Sequence, residues 1–190
     1  MSKLEVRQCL VQDGRVIVTC DEVTEQCGKF IVRIGNRSGL YDSDGNIVLP
    51  IMYESIRVSS DGFIFPVGSF GMGLCDASGE FIFRPDYDSV EVRDGHVVLY
   101  DGSLYALASL DGKVLLPFAY DHITVLVAPS FVALWRSRKC TVYFTKTDRV
   151  ASIWGERFEF TDEHFTLYKD DQPFVYDAMG NQINMEVTTE

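Results

Sequence analysis

The chain repeats itself. "GLYDSDGNIVLPIMYESI" at 39–56 matches "GLCDASGEFIFRPDYDSV" at 73–90, and "YALASLDGKVLLPFAYDHI" at 105–123 follows the same plan. Turn glycines fall at Gly45, Gly79 and Gly112; each is followed eight residues later by Tyr53, Tyr87 or Tyr120, then three further on by Ile56, Val90 or Ile123. A second glycine series, Gly28, Gly62 and Gly95, keeps the same intervals of 34 and 33 residues. Two markers in one register argue against coincidence. A period of this size means an array of small units, none able to bury an apolar face without its neighbours.

Each period holds four short segments rich in β-branched and aromatic residues, such as 39–42, 46–49, 55–59 and 63–67, all too short for helices. Between them stand S-D-G, A-S-G, L-D-G or M-G-N, residues that tolerate the positive φ of tight hairpin turns. Pro50, Pro85 and Pro117 follow the second segment, where a missing N–H is expected to end the ladder and turn the chain toward the tyrosine. Past residue 125 the pattern fades: Asp148 stands where the turn glycine belongs, and Asp177 with Gly180 restores the turn. At the front, Asp13 and Gly14 mark one more hairpin.

The expected architecture is all-β, a single repeat domain over 1–190. Residues 1–27 form a partial unit, 28–61, 62–94, 95–129 and 130–162 the repeats, and 163–190 a C-terminal partial unit. The hairpins would stack as a curved solenoid, or close as a small β-propeller of about five blades.

The repeat resembles the WG β-repeat family, aromatic-G-x-x-D-x-x-G-x-x-x-x-P-x-x-Y-D. Gly39, Asp42, Gly45, Pro50 and Tyr53 carry the match, then Gly73, Asp76, Gly79, Pro85, Tyr87 and Asp88, then Tyr105, Gly112, Pro117, Tyr120 and Asp121. The copies are degenerate. Ser38 and Met72 stand where the naming tryptophan belongs, and the literal pair Trp154-Gly155 is out of register. The resemblance implies a binding or scaffolding role and a bacterial source.

Composition agrees with a packed, soluble array. Hydrophobic residues are 46% and aromatics 13% of 190, and no apolar run reaches the eighteen residues of a membrane span. "MSKLEVRQCLVQDGR" has no secretory h-region, and Cys9, Cys20, Cys27, Cys75 and Cys140 are odd in number without a C-x-x-C pair. A cytoplasmic protein with buried free thiols is expected. The net charge of −11 repels phosphate and argues against a nucleic-acid partner. One run opposes it: Arg136, Arg138, Lys139, Lys146 and Arg149 against Asp148 make +4 over 136–149.

Chemistry is hard to find in these residues. If Gly45 were the glycine of a calcium loop, Leu40 and Ile51 would have to be acidic, so D-x-D-G-N reads as a turn stapled by its own side chain. His96, His122 and His164 occur singly, and no nucleophile or phosphate-loop motif is present. "GSFGMG" at 68–73 joins two strands and reads as a bend. The pairs Tyr53-Glu54, Tyr87-Asp88 and Tyr120-Asp121 recur in every unit, which favours a structural job, the ring in an inter-unit seam and the polar group on a neighbouring turn. No catalytic, cofactor or metal site is expected.

A functional surface should lie where the repeat is broken. The unit 130–161 has lost its glycine, proline and tyrosine and carries both tryptophans and most of the basic run. Trp135, Arg136, Arg138, Lys139 and Trp154 are therefore the candidate contacts to another protein. The expected function is a non-catalytic protein-interaction or scaffolding module. The alternatives are an acidic decoy of a basic nucleic-acid-binding protein, and a carbohydrate-binding or hydrolytic β-repeat protein using carboxylates such as Asp86 and Asp88.

Overall fold

The structure is a computed structural model and describes residues 8–128, 131–137, 139–154, 157–161 and 164–183. Among them every regular element is a strand. A hairpin, β1 (Gln8–Gln12) with β2 (Arg15–Cys20), precedes five four-stranded antiparallel sheets. The first sheet is β3 (Glu22–Gln26), β4 (Lys29–Ile34), β5 (Arg37–Tyr41) and β6 (Ile47–Tyr53). The second is β7 (Ser55–Val58), β8 (Ile64–Gly68), β9 (Gly71–Cys75) and β10 (Phe81–Tyr87). The third is β11 (Ser89–Arg93), β12 (His96–Tyr100), β13 (Tyr105–Ser109) and β14 (Val114–Tyr120). The fourth is β15 (His122–Ala128), β16 (Phe131–Arg136), β17 (Lys139–Phe144) and β18 (Arg149–Trp154). The fifth is β19 (Arg157–Phe160), β20 (His164–Lys169), β21 (Gln172–Asp177) and β22 (Gln182–Ile183). Strand order within each sheet follows the sequence.

The hairpin repeats are thus real, and they are framed differently from the sequence period. The four segments 39–42, 46–49, 55–59 and 63–67 are β5, β6, β7 and β8, which belong to two sheets. Only Glu54 links β6 to β7, too short a connection for a hairpin, so the chain passes to a new sheet there.

The prolines do not end the ladder, contrary to the expectation from sequence. Leu40 pairs with Leu49 and Ser38 with Tyr53, so two steps of β5 are spanned by four of β6. The same excess lies between Leu74–Phe83 and Met72–Tyr87, and between Leu107–Leu116 and Tyr105–Tyr120. Pro50, Pro85 and Pro117 sit inside these bulges, on the outermost strand, where a missing donor breaks no ladder bond. Small residues stand opposite: Gly39, Gly73 and Ala106. A Cβ on Gly73 would meet the Phe83 carbonyl oxygen and the Pro85 nitrogen, both at 2.9 Å. β17 and β18, which lack the proline, pair without a shift from Lys139–Trp154 to Phe144–Arg149.

By its packing the chain divides into two compact units, Met1–Glu91 with Leu99–Gly102 and Leu110–Lys113, and Val92–Val98 with Ser103–Ser109 and Val114–Glu190. The division cuts across the third sheet. In the first unit one cluster (Cys20, Val32, Tyr41) joins the β1–β2 hairpin to the first sheet, and another (Leu40, Leu49, Tyr53, Ile56, Ile64, Cys75) joins the first sheet to the second. In the second unit Val98, Leu107 and Leu116 meet Val132, Leu134 and Tyr143, while Phe131, Ala133, Cys140, Val142 and Phe144 meet Phe165 and Leu167. Each of these four cores is a seam between consecutive elements of the chain, and β16 feeds two seams by alternating its side chains. Inner strands such as β5 and β16 are buried on both faces, whereas β7 alternates.

Three thiols lie in these seams, with burial raising those of Cys75 and Cys140 to about 12. Cys9 and Cys27 are exposed, against the expectation that all five are core residues.

Candidate functional site

The D-x-D-G-N sequence forms a recurring turn held by its own aspartate. Asp42 Oδ1 accepts the backbone N–H groups of Asp44 (2.9 Å) and Asn46 (2.8 Å). Asp76 does the same for Ser78 (2.8 Å) and Glu80 (3.1 Å), and Asp177 for Met179 (2.9 Å) and Asn181 (2.8 Å). The carboxylates are stapled to their own turns, and among the described residues no three His, Cys, Asp or Glu side chains converge as metal ligands. Gly45, Gly79 and Gly112 supply the positive φ of these turns, and Asp148 takes φ 53° in the fourth sheet where no glycine is available.

The same bonds set an acid limit. The Asn46 side chain foremost, the Ser78 hydroxyl and the Asn181 backbone hold Asp42, Asp76 and Asp177 respectively below the ordinary carboxylate value. A carboxyl lowered on folding contributes stability that is full above its unfolded pKa, near 4, and lost as pH falls through the folded one. Melting temperature is expected to decline from about pH 4 downward. A variant carrying Asp42→Ala, Asp76→Ala and Asp177→Ala should melt lower at neutral pH with a flatter acid slope; an unchanged slope would refute the assignment.

The tyrosines of the Tyr-acid pairs have different surroundings. Tyr53 is buried in the seam between the first two sheets, Tyr120 packs against the seam between the third and fourth, and Tyr87 lies edge-on to Phe83 at 6.0 Å. After Tyr120 the acid bonds the next sheet's central turn. Asp121 receives the Ser137 N–H on its carboxylate (2.9 Å) while its own N–H donates to the Trp135 carbonyl (2.9 Å). Asp21 repeats this with Gly35 (2.7 Å) and Arg33 (2.9 Å).

That lock places the candidate contact residues at one end of the fourth sheet. Arg136 pairs across the turn with Lys139, and Lys139 pairs with Trp154 on β18. Arg136 is exposed and Lys139 half-buried. Arg138 lies outside the described residues, as does the side chain of Trp154. Trp135 is no exposed anchor: it shares a face with Phe131 and Ala133, and its ring meets Phe158 edge-on with centroids 4.4 Å apart. Among the described residues its buried indole N–H meets no acceptor. The basic run is not one patch either. Lys146 and Arg149 lie at the far end of β17, about 17 Å away by strand rise, and Arg149 is bonded to the Met179 carbonyl (3.3 Å) and Asn181 (3.2 Å).

A surface that sequence reasoning passed over lies in the first unit. "GSFGMG" is a two-residue hairpin turn, Ser69-Phe70, closed by the Gly68–Gly71 pair. Phe70 is 86% exposed at its tip, and Met52 beside it 58%. They border a groove of about 500 Å³ walled by Arg37, Tyr53, Pro85 and Asp86, between the first and second sheets. The Arg37 guanidinium donates to the Met52 carbonyl at 3.1 Å, fixing that wall. The signal was an aromatic at a hairpin tip, where the first sheet has Asn36.

One stretch of this same unit matches a known family. Residues 39–65 match the family model described as WG containing repeat. The match covers this stretch alone. In the matched stretch Gly39 faces the bulge, and the residue before it, Ser38, pairs with Tyr53.

No curated protein matches the chain. Among solved structures it is similar to Hsv2p of Kluyveromyces lactis, at 11% identity and TM-score 0.39, over 86% of this chain and 65% of that one. It is similar also to a eukaryotic initiation factor, at 10% identity and TM-score 0.46, over 85% and 52%. A third is PorZ of Porphyromonas gingivalis, at 8% identity and TM-score 0.34, over 84% and 27%. The chain spans less than two thirds of each of these.

Proposed function

We propose that this WG-repeat chain is a non-catalytic protein-interaction module, with the Phe70 groove as its contact surface. The observation that carries the reading is the exposure of Phe70 on a short turn pinned by two glycines. An aromatic held this way loses little conformational freedom on binding, and Met52 beside it adapts to a partner's shape. Large exposed aromatics over a groove mark interaction sites more often than chance surface. The partner is a protein offering an apolar side chain to the groove. The free thiols of Cys9, Cys27, Cys75 and Cys140 support a reducing compartment such as the cytoplasm.

Affinity capture with the wild type, Phe70→Ser, and an Arg136→Ala, Lys139→Ala variant tests this. Phe70→Ser should melt as the wild type does and lose its partner by about 2 kcal/mol or more. A partner lost only with Arg136 and Lys139 would move the contact to the end of the fourth sheet. Binding that survives all three but collapses in salt would favour the acidic decoy, for which the −11 charge speaks.

A further inference from the structure

The β1–β2 hairpin breaks the four-strand rule that every other sheet obeys. Its place in the repeat can be fixed. Asp21 follows β2 as Asp121 follows β14, with the same pair of bonds to the next sheet's central turn. β1 and β2 therefore hold the third and fourth places of a sheet whose first two places no described residue fills.

Among the described residues β1 is an edge strand without the usual defences. Outer strands are ordinarily blunted by charge or proline. Here β3, β7, β11, β18 and β19 carry charged residues and β6, β10 and β14 the bulge proline; β15 and the two-residue β22 have neither but belong to complete sheets. "QCLVQ" has no charge and no proline. Val11 is 52% exposed on β1, and Val16 and Ile17 are exposed on β2. The hairpin is also neutral, with Asp13 and Arg15 at its turn, on a chain of net −11. Two copies repel over most of their surface and least here.

We propose that β1 pairs with β1 of a second copy, the two hairpins forming one four-stranded antiparallel sheet in the order β2, β1, β1, β2. Two half sheets restore the strand number of the others. A twofold axis through the contact makes identical strands antiparallel, the sense every neighbouring pair in this chain already has, and the contact is self-complementary.

Sedimentation of the full chain across concentration and salt tests this. The wild type should form a reversible dimer that tightens with salt as the like charges are screened. Val11→Lys, an exposed position, should be monomeric and melt as the dilute wild type does, and Val11→Thr should still dimerise. Amide protection of residues 8–12 should rise with concentration in the wild type, which needs no variant. Phe70→Ser should leave the dimer intact, separating this contact from the groove. A wild type monomeric at all concentrations overturns the proposal, the edge then being taken by the chain's own residues or by another protein. A dimer that survives Val11→Lys overturns it too.

Discussion

Gly71→Ala is expected to lower the melting temperature by about 10 °C. Gly71 opens β9 with φ 142°, a conformation L side chains rarely adopt, and an added Cβ would run into the Tyr87 carbonyl oxygen and lie 2.9 Å from its backbone nitrogen. The strained φ costs about 1–3 kcal/mol and the overpacking about the same again. Because the obstacle is backbone, no rotamer change relieves it. Ser69→Ala, one turn residue away and exposed, should change melting by less than about 0.5 kcal/mol. Equal melting of the two variants would show that the backbone yields more easily than its geometry implies.

Phe165→Ala should cost about 3–5 kcal/mol. Phe165 is fully buried in the last seam of the second unit. Its ring lies 5.9 Å from Phe158, 5.1 Å from Phe160 and 5.6 Å from Tyr176, so one truncation strips contacts from three aromatic neighbours. Phe165→Leu, which keeps most of the volume, should cost less than about 1.5 kcal/mol. Urea titration measures both; a Phe165→Ala loss no larger than that of Phe165→Leu would mean the seam collapses around the vacancy.

What was legible in the sequence was whatever acts within a few residues. Asp42 caps a turn four residues long, Asp148 replaces a glycine at the same turn, and Asp13-Gly14 closes a hairpin; each can be read without knowing what lies across the sheet. What was not legible depends on which strand is outermost. Pro50 looks like a ladder's end until β6 proves to be an edge, where proline and a bulge cause no loss. The same ignorance hid the frame: a period fixes spacing and leaves phase open, and only the single-residue link at Glu54 hints where one sheet yields to the next. Trp135 misled because hot-spot statistics speak of residue type, whereas the parity it shares with Phe131 and Ala133 sends its ring inward. Phe70 was missed for the converse reason, a turn being read for its glycines rather than for what they hold up.

The consecutive strand order of the described sheets also bears on how the chain acquires its structure. Each sheet is built from neighbours in sequence, so loop closure is short and the pairings form early. Burial lags behind. In the first unit the turn at Gly79 seats on Val48 of the preceding sheet and the turn at Gly112 on Ile82, so each sheet is finished by residues that leave the ribosome about one period after its own. The growing chain thus trails one incompletely covered sheet at its leading end throughout synthesis, and a ribosomal pause would be best tolerated just after a turn glycine has docked on the sheet before it.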